Sequence, residues 1–266
     1  MKITAIRATP VLIPLEAPYH WSYGVLDGFT KCVVEVVTDQ GLTGIGEAPS
    51  HTSAAIIARM AEVLVGQGAL DMAGLERRVL PSMPGAHSVT DYATRAAWGA
   101  VEIALWDLRG KLWDQPVANL LGGIHRIRIP FTDYFGYRQA QDGKGGEATV
   151  AQVVDYCLSL RQDYGTTCFE GKVSDPDLNT NIRLVMALRD ALGPDAMLRI
   201  DSNQAFSLPS AIHLSRPFEE AGVRNWEDPT PDWTGMRKLR ERTTIPFSGH
   251  NTDLAKAVAY GVPDAI

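Results

Sequence analysis

Cysteine is scarce in this 266-residue chain, and Cys32, Cys157 and Cys168 form neither a CxxC pair nor a metal-ligand spacing. That argues against a disulfide framework and a thiolate zinc site, and three free thiols in a reducing compartment are expected. No apolar run approaches the roughly 18 residues that a membrane span needs. The opening MKITAIRATP also lacks the apolar core of a secretory signal. A soluble cytoplasmic protein is therefore expected. No basic cluster offsets the formal charge of −6, so neither nucleic acid nor a membrane is expected as a partner. Neither GxGxxG nor a GxxxxGK phosphate loop occurs, which removes the usual support for a nucleotide-binding sheet. What the chain does have is ordinary globular composition, 45% hydrophobic and 21% charged, with material for a sizeable core.

The first fifty residues read as β structure. Residues 2–13 alternate and then run apolar, residues 31–38 (KCVVEVVT) are rich in β-branched side chains, and Asp39-Gln40-Gly41 turns the chain into a third strand over 42–47. Between the first two strands, residues 16–30 mix His20, Trp21 and Tyr23 with glycines, a composition that suits a mobile flap over a pocket. From 53 to 121 the pattern is helical, with Ala97, Val101, Leu105, Leu108 and Leu112 on one face. After Gly123 strand-like and helical segments alternate strictly, with strands expected at 127–134, 166–172, 197–201, 223–227 and 245–248. Such alternation implies parallel strands joined by right-handed crossovers. The expected organisation is an α+β domain over 1–123 and an α/β domain over 124–266.

Three of these strands run into polar residues about one βα unit apart: Asp201, Glu227, and the pair His250 and Asn251. A one-unit interval returns the chain to the same face of a barrel, one strand along, so the side chains converge at the carboxyl end of the strands. Any one strand-end acid serves as readily as a helix cap. A spaced set of two carboxylates with an imidazole or amide is an oxygen-rich donor group that suits Mg²⁺. Lys172 ends the preceding strand one unit earlier and would project into the same mouth, where a base could work.

These residues resemble the mandelate racemase / muconate lactonizing enzyme branch of the enolase superfamily. AAWGAVEIALWDLRGKLWDQPVANLLGG resembles the helical segment joining that family's cap to its barrel, RIDSNQAF its Asp-x-Asn metal strand, NWEDP its Glu metal strand, and GVPDAI the start of its sixth barrel strand. The resemblance implies an α+β capping domain followed by an incomplete (β/α) TIM-like barrel, since eight strands make a complete barrel and this sequence stops at the sixth. It implies Mg²⁺ held by Asp201, Glu227 and a third ligand from His250 or Asn251, where most of the family has Glu or Asp and the glucarate dehydratase group Asn. His250 is the expected nearer of the two. Lys172 corresponds to the base of the family's Lys-x-Lys motif, and Glu170 stands where the first lysine would be.

The implied chemistry is removal of the α-proton of a small carboxylate through an enediolate. Dehydration of an acid sugar (a lyase reaction) is expected first, and racemisation, cycloisomerisation or a catalytically inactive truncated relative are the alternatives. His20, Trp21, Tyr23, Asp133, Tyr134, Glu170 and Asn203 are the expected substrate contacts. The acid/base of the opposite face would lie beyond Ile266, and a homo-oligomer is expected.

Overall fold

The computed structural model describes residues 1–80, 89–250 and 253–265. The chain divides into two compact units: Met1–Pro14 with Gly28–Arg128, and Leu15–Asp27 with Ile129–Ile266. Among the described residues no helix is long and apolar enough to cross a membrane.

The first unit is a three-stranded sheet covered by helices. Strands β1 (Ile3–Trp21), β2 (Gly24–Thr38) and β3 (Thr43–Ala48) lie in that order. β2 and β3 pair antiparallel from Cys32↔Ala48 to Val37↔Thr43, and Cys32, Val34 and Val36 alternate into the core. Helices α1 (Ser53–Leu64), α2 (Met72–Val79), α3 (Val89–Trp113) and α4 (Val117–Leu120) follow. Helix α3 buries Ala97, Val101, Leu105 and Leu108, the face expected from their spacing. Two glycines let it lie directly on β3. A Cβ at Gly44 would stand 1.9 Å from the Ala104 carbonyl oxygen, and one at Gly46 would stand 2.0 Å from that of Ala100. Only hydrogen fits at those two positions.

The second unit holds five parallel strands, β4 (Asp133–Phe135), β5 (Cys168–Lys172), β6 (Met197–Asp201), β7 (Asn225–Glu227) and β8 (Phe247–Ser248), hydrogen-bonded in sequence order. Helices α5 (Val150–Tyr164), α6 (Leu178–Leu192), α7 (Leu208–Glu220) and α8 (Trp233–Arg240) connect them, and α9 (Leu254–Tyr260) follows β8. Together they form a partial (β/α) barrel. The helix starts are strongly capped. Thr149 and Gln152 close a capping box on α5, while Asp177, Ser207 and Asp232 accept backbone N–H groups at the starts of α6, α7 and α8.

Period two along the strands separates core from chemistry. Phe169, Leu198, Ile200, Trp226 and Phe247 belong to one buried cluster with Val153, Leu184, Leu214, Phe218 and Leu239 of the helices. The intervening residues, Glu170 and Lys172, Arg199 and Asp201, Asn225 and Glu227, therefore share the other face.

Two expected elements differ from what forms. The segment 127–134 is strand only at its end, with Ile127 91% exposed. The flap expected at 16–30 is largely strand: β1 continues to Trp21, the chain turns at Ser22-Tyr23, and β2 begins at Gly24, whose φ of +124° suits glycine alone. The far part of this hairpin, Leu15–Asp27, belongs to the second unit. Its backbone is bonded there: His20 donates to the Tyr137 carbonyl (2.9 Å) and Gln139 donates to that of Pro18 (2.7 Å).

Candidate functional site

Parallel register brings three side chains together. Lys172 pairs with Asp201 across β5–β6, and Asp201 pairs with Glu227 across β6–β7, so the three stand side by side on adjacent strand ends. The Lys172 ammonium bonds to Asp201 Oδ2, with the two side chains only 9% and 4% exposed. The same Nζ lies 5.8 Å over the Trp21 ring and 5.7 Å over that of Tyr134. Aromatic faces attract a cation, so these rings help to hold the ammonium group in place.

The turn after β6 is shaped around Asp201. Asn203 (φ +43°) and Gln204 (φ +63°) adopt left-handed backbone, as does Asp228 (φ +42°) after β7. Residues other than glycine accept that conformation at a cost of about 1–3 kcal/mol each, and such strain clusters at functional sites. It lets the Asn203 N–H donate to Asp201 Oδ1 (2.8 Å) and its Nδ2 donate to Oδ2 (3.1 Å). Asn203 Oδ1 is left buried with no hydrogen-bond partner. Behind the site, Trp226 Nε1 donates to Ser202 Oγ (2.7 Å), which donates to the Val173 carbonyl (2.9 Å).

Negative charge is in excess here. Burial, then repulsion from Asp201, pushes the Glu227 carboxyl above the ordinary carboxylate range. His250 extends from the end of β8 with Nδ1 3.1 Å from Asp228 Oδ2 and 3.2 Å from Glu227 Oε1. Its hydrogen bond to Asp228 raises its pKa against the opposing effect of burial, and the charges of Glu227, Asp228 and Asp201 add to the rise. Asn251 lies outside the described residues. Among the described residues no three His, Cys, Asp or Glu groups are drawn together as a closed metal site. Asp201 is instead turned onto Lys172 and Asn203. The donor chemistry nevertheless fits a hard divalent cation: a buried and a partly buried carboxylate in direct register, a neighbouring buried amide oxygen without a partner, and burial followed by mutual repulsion that raises Glu227.

The remaining expected contacts are scattered. Trp21 and Tyr134 flank Lys172, and Tyr23 is 68% exposed, packed edge-on against Trp21 at 4.8 Å. His20 is exposed and borders a cavity beside Lys172. Glu170 sits one pleat below Lys172 and is engaged by Arg199, whose Nε lies 2.8 Å from Glu170 Oε2. Asp133 pairs with Phe169 near the start of β5 and accepts from the Thr166 hydroxyl, away from the cluster. Sequence reasoning missed Arg199, although a signal was present: it precedes Asp201 by two residues, as Glu170 precedes Lys172.

The family models agree with the geometry. One described as "Mandelate racemase / muconate lactonizing enzyme, N-terminal domain" matches residues 3–122, and one described as "Enolase C-terminal domain-like" matches residues 152–252. D-xylonate dehydratase of Haloferax volcanii is 31% identical over 93% of this chain and 59% of its own. N-succinyl-L-Arg/Lys racemase of Bacillus cereus is 24% identical over 93% of this chain and 65% of its own. The chain thus spans about three-fifths of the length of these relatives. The crystal structure of an enolase from Thermobispora bispora complexed with magnesium and formate superposes with a TM-score of 0.86 at 27% identity, covering 98% of this chain and 67% of that one. With both family models matched and its strand-end residues in register, the chain belongs to the mandelate racemase / muconate lactonizing enzyme family of the enolase superfamily.

Proposed function

We propose that this chain carries the lysine and carboxylate side of a site that removes the α-proton of a small carboxylate, with dehydration of an acid sugar as the reaction. The reading rests on one observation: Lys172, Asp201 and Glu227 occupy three adjacent strand ends in direct register. Asp201 and Glu227 would hold Mg²⁺, with His250 as the nearest candidate for a third ligand because it already touches Glu227. When bound, Mg²⁺ would supply a Lewis acid that stabilises the negative charge developing on the substrate carboxylate. Nζ of Lys172, freed from Asp201 and acting as the unprotonated amine, would take the α-proton. Trp21 and Tyr134 keep that nitrogen under an apolar roof and limit its access to water. Asn203 orients Asp201 and offers its free Oδ1 to whatever binds beside it.

The test follows the α-proton directly. Incubating the protein with Mg²⁺ and a panel of acid sugars in deuterated solvent should give exchange that Lys172→Met lowers on the order of 10²–10⁴-fold, the usual worth of general acid–base catalysis. Equal exchange by both proteins would refute the reading. Racemisation or cycloisomerisation begins with the same step, and the Bacillus cereus relative is a racemase. Product analysis in the same incubation separates these reactions, since only dehydration yields a keto acid lighter than its substrate by one water.

A further inference from the structure

Beyond the carboxylate cluster, the second unit contains a cavity of about 670 Å³ that Asp201 and Glu227 do not line. Lys172 and Trp21 border it, and Tyr137, Arg138, Asp175 and Asn181 wall it. The volume is that of a site for a whole small molecule rather than for a trapped water. Its polar groups are unevenly engaged. Arg138 is answered by Glu147, with Nε to Oε2 at 2.7 Å and Nη2 to Oε1 at 2.9 Å. Lys172 is answered by Asp201. Asp175 has no ion-pair partner among the described residues. It is nonetheless fixed in place, its N–H donating to Asn181 Oδ1 (3.0 Å) and its Oδ1 accepting from the Asp177 N–H (2.8 Å). The Tyr137 hydroxyl is buried without a hydrogen-bond partner. Burial first, and the Asp175 charge second, raise its pKa, so it stays a neutral hydroxyl able to donate. Tyr137 and Asp175 also border a second cavity of about 370 Å³ beside Thr180, so neither is packed solid on its far side.

A wall that offers one carboxylate without an ion-pair partner among the described residues, one unpartnered hydroxyl and a neutralised Arg–Glu pair suits groups that both donate and accept, which is the chemistry of sugar hydroxyls. We infer that this cavity is the distal subsite for a polyhydroxylated carboxylate, with Tyr137 and Asp175 reading a hydroxyl several carbons from the reacting centre. The inference rests on the proton-abstraction reading for where the carboxylate head lies, and it adds the specificity-determining residues. A buried polar group left unpartnered is costly, so a ligand lacking the hydroxyl is rejected more strongly than an apolar pocket could manage.

The experiment is equilibrium binding by calorimetry, using the full chain with Mg²⁺. Five- and six-carbon aldonates are compared with lactate, which has the same α-hydroxy acid head and no distal hydroxyl. In the wild type at least one aldonate should bind tenfold or more tighter than lactate. Tyr137→Phe, which keeps the ring, and Asp175→Asn should each weaken that aldonate on the order of tenfold, the equivalent of one hydrogen bond, and leave lactate unchanged. A thermal melt verifies that each variant folds, and Tyr137→Phe alone decides the matter if Asp175→Asn does not. No preference over lactate in the wild type, or equal weakening of both ligands, would overturn the inference. So would tighter binding of an N-acylated lysine than of any aldonate, since that would make Asp175 a reader of cations. Absence of α-proton exchange with every acid would remove the reading of the reaction while leaving this binding comparison to be decided by its own numbers.

Discussion

Replacing Arg138 with Gln is expected to loosen the hairpin end that roofs the site. Arg138 and Glu147 form a bidentate pair whose side chains are 15% and 12% exposed, and the guanidinium carbon stacks 4.0 Å over the Tyr156 ring. Breaking a well-buried pair by removing one partner costs about 3–5 kcal/mol, because the remaining charge is stranded. Residual exposure here argues for the lower end, and loss of the cation–π contact adds roughly 0.5–1 kcal/mol. The expected destabilisation is therefore about 3.5–4 kcal/mol by urea unfolding. Arg138→Met with Glu147→Gln together should recover more than half of it, since no charge is then left buried. Arg138 is also where the 136–149 segment meets the hairpin: its N–H donates to the Glu147 carbonyl, and its neighbours exchange backbone bonds with Pro18 and His20. Amide exchange at His20 and Gln139 should accelerate in Arg138→Gln more than at core amides such as Ile200. A loss below 1 kcal/mol, a double variant no better than the single one, or unchanged protection at His20 would each refute this account.

Three further outcomes are expected. Asp201→Asn should weaken Mg²⁺ binding in calorimetry by at least tenfold and also lower the unfolding midpoint, because Lys172 would lose its only carboxylate contact among the described residues. Gly171→Ala should cost more than 3 kcal/mol in urea unfolding, since its Cβ would stand 2.3 Å from both the Phe135 ring and the Phe135 carbonyl oxygen. The Glu219 carboxylate is held below its ordinary value of 4.5, first by the Thr244 N–H; burial opposes this as the next-largest effect, and the Thr243 and Thr244 hydroxyls restore the net fall. A depressed pKa stabilises the fold above the unfolded value and ceases to do so as pH falls through the folded one. The advantage of wild type over Glu219→Gln in urea midpoint should accordingly be present at about pH 6 and shrink as pH falls below the ordinary carboxylate value of 4.5.

The strand-end residues were legible because one βα unit is a fixed distance in sequence, and parallel register converts that distance into neighbourhood. Lys172, Asp201 and Glu227 needed no contact that the alternation of apolar and polar residues did not already imply. The Leu15–Asp27 hairpin was not legible. Residues 16–30 carry glycines and few β-branched side chains, and the segment forms strand as parts of β1 and β2, neighbours in one sheet, tied further by backbone bonds to Tyr137 and Gln139, more than a hundred residues away. Backbone groups have no sequence signature, so a loop was the natural reading. The placing of Asp133, expected among the substrate contacts, was not legible for a related reason. A strand acid can face either side of the sheet, and with β4 shortened to three residues it shares the face of buried Phe135 and reaches Thr166. The pairing of Glu170, another expected contact, with Arg199 was not legible because the two were not read in register.

The register of β5 constrains how a lineage could alter such a protein. From Cys168 to Lys172 every second residue faces the chemistry, so inserting one residue early in that stretch would put Gly171 in the place of Lys172 and turn Phe169 out of the core, and deleting one would put Val173 there. That stretch can change by substitution but not by length. The 136–149 excursion is different. It is secured at a few points through Arg138, and its glycines at 143, 145 and 146 carry positive φ angles outside any strand. Length changes there would redraw the cavity wall around Tyr137 and leave the Lys172–Asp201–Glu227 row untouched. New substrates are therefore more accessible to this scaffold by insertion and deletion between β4 and α5 than by point changes at the row itself.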